Sequence, residues 1–271
     1  MKIVTVIGAE GFVGSAFAAH LSSLPGVSLR PVTRRNYAQE AGRPSDVVID
    51  CAANSRKYLA EERPVEEFSL SVAHRLQTIL DFPAGLQLHV SSVDVYSVLD
   101  SPATTVEDAP VDLARLSHYG FHKRLAEEVV QHYAPRWLIV RLAGMVGPAL
   151  RKNPVYDVLQ GQPLRIHPDS RYQFMETRDV ARIAWTLVDR GLVNQVFNVC
   201  AEGLVSPREI ARLAGRELDL SLLLGPEAAP RIVHASTAKL EAILPVPKTT
   251  DAVTAFVGGG RTGSPERATE S

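Results

Sequence analysis

The chain lacks most of what marks a secreted, membrane-bound or nucleic-acid-binding protein. Only two cysteines, Cys51 and Cys200, occur in 271 residues, too few for a disulfide framework. Both fall at apparent strand ends, where a small buried thiol is the simplest reading. That usage fits a reducing, cytoplasmic setting. No apolar run approaches the roughly 20 residues of a membrane span, and an apolar strand starting at residue 2 is expected to leave no room for a signal peptide. Neither sign of charge is in excess: 29 Lys and Arg against 30 Asp and Glu give a formal net charge of −1. No basic field therefore points to nucleic acid or to a membrane surface. The two tryptophans, Trp137 and Trp185, fall in a strand and an amphipathic helix and read as core. There are no internal repeats.

What is present is a regular alternation of apolar runs and helical patterns. Strands are expected at 2–7, 27–33, 46–50, 86–91 and 137–142. Helices are expected at 65–81, with Pro64 at its first turn, and at 117–133. Alternating strands and helices imply a parallel sheet covered on both faces. A chain of this length buries one sizeable core and a small appended lobe.

Three motifs carry chemistry. The strand Lys2-Ile-Val-Thr-Val-Ile7 runs at once into Gly8-Ala-Glu-Gly11-Phe12-Val13-Gly14 and then into a helical segment. Strand, glycine turn and helix in that order are the context of a dinucleotide-binding fingerprint. Glycine lets the backbone approach a pyrophosphate, and the helix amides stabilise its charge. The second motif, Leu88-His-Val-Ser91-Ser92-Val-Asp94-Val-Tyr96, is an apolar strand ending in serines, as expected where such folds present their chemistry at the carboxyl ends of their strands. The third, Tyr119-Gly-Phe-His-Lys123, sets a phenol and an ammonium at i and i+4 on one helix face. A cation there is expected to pull the phenol down from its usual value of about 10 toward neutrality, giving a general acid/base.

Together these motifs resemble the extended short-chain dehydrogenase/reductase superfamily, and within it the NAD(P)-dependent epimerase/dehydratase family. Further along, Arg141-Leu-Ala-Gly-Met-Val-Gly-Pro148, Phe174-Met-Glu-Thr-Arg-Asp179-Val180 and Val196-Phe-Asn-Val199 resemble its later segments in order. The resemblance implies a Rossmann-like, doubly wound parallel sheet with a small C-terminal substrate lobe. It implies Ser92, Tyr119 and Lys123 as the catalytic trio. Gly8, Gly11, Phe12, Val13, Gly14, Cys51, Ala52, Ala53, Tyr119 and Lys123 would contact the cofactor. The implied division is 1–148 plus 174–200 for the cofactor domain, 149–173 plus 201–257 for the substrate lobe, and a disordered tail over 258–271.

Within that frame the chain departs at one place. Residues 35–45 are too few for a full crossover unit with its own strand and helix, so the third strand is expected to be shortened or absent. After the second strand stand Thr33-Arg34-Arg35, with no carboxylate. Guanidinium groups suit the extra phosphate of NADP, where Asp or Glu would bind the ribose hydroxyls of NAD, so NADP is the expected cofactor and NAD the lesser choice.

The resemblance also narrows the reaction. Sugar dehydratases of this type carry Thr-Asp-Glu where this chain has Ser92-Val93-Asp94, and valine cannot supply their proton. Reduction of a keto group of a (nucleotide-)sugar or related carbonyl remains, alongside a nucleotide-sugar epimerase with tightly bound cofactor and a non-catalytic NADP-sensing regulator. Asp94, Arg165 and Arg171 are candidates for substrate contacts, with Arg178 nearby. His118 and His122 stand at i and i+4, but no Glu of a His-Glu-x-x-His pattern lies between them, and no metal site is expected. A homodimer through the 65–81 and 117–133 helices is expected by analogy, since Leu70, Ala73, Leu76, Gln77 and Leu80 form a partly apolar stripe; the same stripe could instead pack on the sheet.

Overall fold

The computed structural model describes residues 1–222 and 229–259. Ten strands run in chain order as β1 (Lys2–Ile7), β2 (Val27–Val32), β3 (Ser45–Asp50), β4 (Ala84–Ser92), β5 (Trp137–Leu142), β6 (Gly144–Val146), β7 (Arg171–Tyr172), β8 (Phe174–Glu176), β9 (Gln195–Val199) and β10 (Ile232–Val233). The helices are α1 (Gly14–Ser22), α2 (Tyr37–Glu40), α3 (Lys57–Glu62), α4 (Pro64–Phe68), α5 (His74–Asp81), α6 (His118–Tyr133), α7 (Pro154–Gln160), α8 (Thr177–Asp189), α9 (Pro207–Ala214), α10 (Ala238–Glu241) and α11 (Thr249–Gly259).

Six strands form one parallel sheet in the order β2-β1-β3-β4-β5-β9. The third strand is absent. Only the single-turn α2 lies between β2 and β3, which leaves β2 as the sheet edge. An edge strand tolerates the missing N–H of Pro31. The helix expected over 65–81 is present as α4 and α5 joined by a π-helical turn at Ser69–Ala73, with Pro64 at its first position.

The two faces of the sheet differ in chemistry. On one, Val4, Val6, Ile49, Leu88, Val140 and Phe197 pack with Phe17 and Leu21 of α1 and Ile183, Ala184 and Leu187 of α8. The other, under α5 and α6, holds buried ionic groups. Arg141 of β5 forms a two-pronged pair with Glu127 of α6 (Nε–Oε1 3.0 Å, Nη2–Oε2 2.7 Å), and the Ser91 hydroxyl donates to the same carboxylate at 2.6 Å. Burying a charge is tolerable only when it is paired and hydrogen-bonded, as here. A separate apolar cluster built on Val146, Val155, Leu164, Phe174, Ile210 and Val253 supports the C-terminal part.

The stripe on α4 and α5 does not pack on the sheet. Leu70 and Leu80 are exposed, as are Val65 and Phe68, while Val72, Arg75 and Thr78 turn inward. α11 extends to Gly259, two residues into the segment read as a tail, and 260–271 lie outside the described residues. No helix of the described residues is long and apolar enough to cross a membrane.

Candidate active site

The turn from β1 into α1 is a cradle in which three glycines let backbone approach backbone. Gly8 has φ +76°, and a Cβ on it would lie 3.0 Å from the Ala52 amide nitrogen. A Cβ on Gly14 would lie 2.1 Å from the Gly8 carbonyl oxygen, which accepts from the Gly11 amide at 2.9 Å. Only glycine allows these approaches. No side chain caps α1 at Val13; the Ser15, Ala16 and Phe17 amides donate to the Gly11 and Val13 carbonyls, which leaves the Gly14 amide without an acceptor among the described residues and available to an anion. Phe12 and Val13 are half-buried in the same turn, and Cys51, Ala52 and Ala53 follow β3 beside it. The Ala52 amide donates to Asp50 Oδ1 at 2.8 Å, which fixes that loop. Burial pushes the Cys51 thiol up and that of Cys200 to about 12, so both stay protonated. These residues fit the pyrophosphate of a dinucleotide. Past β2, Asn36 Oδ1 accepts from the Thr33 amide at 2.7 Å, while Arg34 and Arg35 are exposed.

Ser92 ends β4 and opens a tight turn through Asp94. Its hydroxyl donates to Asp94 Oδ2 at 2.8 Å and accepts from the Asp94 amide at 3.2 Å. Ser117 caps α6 by accepting from the Gly120 amide, and one turn on Tyr119 and Lys123 are both buried. The Lys123 ammonium stands 5.4 Å from the centre of the Tyr119 ring. Ser92, Tyr119 and Lys123 thus converge at the carboxyl end of β4.

The electrostatics of the pair run opposite to the expectation from spacing. Burial raises the Tyr119 phenol well above its usual value; the charges of Asp94 and Glu67 raise it further, and only Ser92 pulls it back. Lys123 is itself lowered to about 8, by burial first and then by the charge of Arg75. Desolvation outweighs the neighbouring cation because both groups lie out of water.

A polar layer stands behind the pair. Buried Glu67 of α4 is engaged by His122 Nδ1 and by the Ser71 hydroxyl, and Asn54 Nδ2 lies 3.4 Å away. Arg75 of α5 pairs with Asp50, which also accepts from Thr78 Oγ1 at 2.6 Å. His89 is buried with neither ring nitrogen hydrogen-bonded among the described residues; burial, then the charges of Arg75 and Lys123, hold it far below the usual histidine range.

Two residues that the sequence did not single out reach the site. Lys57 Nζ of α3 lies 2.6 Å from Asp94 Oδ2 and 5.7 Å from the Tyr119 ring centre. Arg231, next to β10, lies 3.7 Å from Asp94 Oδ1. Burial pushes the Asp94 carboxyl up, but Lys57, Ser92 and Arg231 together bring it below its ordinary value. No short-range pattern marks either cation, since both arrive through tertiary packing. Arg165 is exposed, with its charge acting on Asp157 of α7; Arg171 is exposed near Glu209 and His234. Arg178 pairs with Glu176. None of these three has a contact with Ser92, Asp94, Tyr119 or Lys123. His118 and His122 go to different carboxylates, Glu61 and Glu67.

A family model for the NAD dependent epimerase/dehydratase family matches residues 4–200. The chain belongs to that family. Among solved structures, this epimerase/dehydratase family member resembles a UDP-galactose 4-epimerase, with a TM-score of 0.74 and 23% identity over 96% of this chain and 99% of that one. It also resembles RMD of Pseudomonas aeruginosa in complex with NADPH, with a TM-score of 0.78 and 20% identity over 96% of this chain and 100% of that one. A dTDP-4-dehydrorhamnose reductase of Clostridium acetobutylicum gives 0.77 and 19%, over 96% and 100%. At these identities the likeness establishes the fold. A search of the curated proteins found no match.

Proposed function

We propose that this family member is an NADP-dependent reductase that delivers hydride to the keto carbon of a sugar, a nucleotide sugar or a related carbonyl compound. The observation that carries this reading is the convergence of Ser92, Tyr119 and Lys123 at the end of β4, on the sheet whose β1 leads into the glycine cradle. Ser92 orients the substrate oxygen. Tyr119 holds its proton firmly, which is the form that reduction needs, and passes it to the oxygen as negative charge develops there. Lys123 is mostly charged at neutral pH and stabilises the phenolate left behind. NADPH, when bound, supplies the hydride. Gly8, Gly11 and Gly14 would take its pyrophosphate, and Arg34 and Arg35 its ribose phosphate.

Elimination chemistry is disfavoured on two counts. Val93 is apolar and buried, and Asp94, held below its ordinary value by Lys57 and Ser92 against the pull of burial, is a weak base. The structural neighbours that act on nucleotide sugars support that substrate class, and the exposed α4–α5 stripe supports a homodimer, checked by sedimentation at several concentrations; a monomer throughout rejects it.

The test is titration with NADPH and NADH, then turnover of each complex on a panel of nucleotide keto-sugars and small ketones. Tyr119→Phe should cut turnover by about a hundredfold or more; unchanged turnover sinks the assignment. Cofactor that survives purification, with inversion of a sugar carbon and no net oxidation, would mark the epimerase instead. NADPH binding without turnover on any panel member would favour a regulator.

A further inference from the structure

Asp94 is the meeting point of two cations from separate parts of the chain. Lys57 of α3 holds both of its oxygens, at 2.8 and 2.6 Å, and Arg231 stands 3.7 Å from one of them. A third cation, Lys152, hydrogen-bonds to Ser55 two residues before Lys57. It lies close enough to Lys57 and Arg56 that their charges add to burial in lowering its ammonium to about 8. Neither Lys152 nor Arg56 has a carboxylate partner among the described residues. Two cations therefore share one carboxylate, and Lys152 and Arg56 stand beside the first of them.

The exposure of these groups is uneven in a telling way. The Asp94 side chain is 9% exposed, whereas those of Lys57 and Arg231 are 59% and 56% exposed. The carboxylate lies underneath and fixes the two cationic side chains, which are themselves more than half exposed to solvent. An ammonium has three donors and a guanidinium five, so one carboxylate does not exhaust them. A lining of one charge sign also raises the local concentration of the opposite ion.

We propose that Lys57 and Arg231, oriented by Asp94 and reinforced by Lys152, form an anion subsite beside the reacting carbon. Resting on the reductase reading of Ser92 and Tyr119, it narrows the substrate to a carbonyl compound carrying a carboxylate or phosphate a few bonds from its carbonyl. The distances set that scale: Lys57 Nζ is 2.6 Å from the oxygen that accepts the Ser92 hydroxyl, and 5.7 Å from the Tyr119 ring centre. An anion seated on Lys57 thus lies within one small molecule of the oxygen held by Ser92 and Tyr119. A simple clamp tying α3 to the Ser92–Asp94 turn would show the same ion pairs but would bind no added anion.

Calorimetric titration of the full chain, saturated with NADPH so that the glycine cradle is filled, separates these cases. The probes are malonate and methyl phosphate, at low ionic strength to limit screening. At least one should bind, and Lys57→Met and Arg231→Met should each weaken it by about tenfold or more, the scale of one lost charge-assisted hydrogen bond. NADPH affinity should stay the same in both variants, which shows that they fold. Malonate alone binding marks a carboxylate substrate, and methyl phosphate alone a phosphate. If neither probe binds, or if Lys57→Met binds as well as the parent, the subsite is refuted while the reductase reading stands. Failure of the parent to bind NADPH would overturn that reading and the subsite with it.

Discussion

Gly120 lies against the backbone carbonyl of Asp94, so closely that a Cβ built on it would fall 2.2 Å from that oxygen. The helix bearing Tyr119 is thereby seated directly on the turn bearing Ser92. The glycine in Tyr119-Gly120 is thus what allows α6 to approach. Gly120→Ala should push helix and turn apart at a cost of about 1–3 kcal/mol, as overpacking does. Urea denaturation reads the stability, and NADPH oxidation reads the effect of moving Tyr119 away from Ser92. A variant as stable and as active as the parent would show that the contact does not position the pair.

Arg141 and Glu127 give a second, independent prediction. Their side chains are 1% and 0% exposed, and Arg141 also donates to the Tyr96 hydroxyl at 2.8 Å and to the Glu107 carbonyl at 3.1 Å. Glu127→Ala strands a guanidinium in the core, which costs about 3–5 kcal/mol, whereas replacing both partners with apolar groups is far milder. Glu127→Met combined with Arg141→Met should therefore be more stable than Glu127→Ala alone. Denaturant midpoints decide it, and the reverse order would show that the pair itself dominates stability.

Much of the fold and part of the site were legible because their signals are local. The Gly8-to-Gly14 turn, Ser92 at a strand end and the Tyr119–Lys123 spacing each lie within a few residues, and the missing strand followed from the length of the 35–45 segment. What escaped were contacts between distant elements. Lys57 and Arg231 come to Asp94 from 37 residues before it and from beside β10, late in the chain. The direction of the Tyr119 shift failed for the same reason. The i+4 lysine is visible in sequence, but burial and the carboxylates of Asp94 and Glu67 exist only in the folded chain.

Arg34 and Arg35 follow β2, the sheet edge, and are exposed without ion pairs among the described residues. If they hold the ribose phosphate of NADP, Arg34→Ala with Arg35→Ala should weaken NADPH by about tenfold or more and leave NADH nearly unchanged, because the lost contacts are charge-assisted hydrogen bonds to phosphate. Fluorescence titration with both cofactors checks it. Equal losses for the two would mean that the arginines act on the pyrophosphate or on the fold instead.

Lys123 leaves a signature in stability. In the folded chain its ammonium is lowered to about 8 from its ordinary 10.5, chiefly because it is buried and secondly because Arg75 is near. Between those two values the unfolded chain keeps the proton and the folded chain has released it. Stability must then rise with pH across this window. Below pH 8 both states are protonated, and the penalty for burying the charge is fully present. Lys123→Met removes the titrating group, so the rise in unfolding free energy from pH 8 to 10 should become shallower than in the parent. Lys152, also lowered to about 8 and chiefly by its own burial, contributes a rise of its own in both proteins, so the comparison is of slopes and not of a flat line. Urea unfolding at four or five pH values across the window is sufficient, and parallel slopes for the two proteins would mean that Lys123 keeps an ordinary lysine titration in the folded chain.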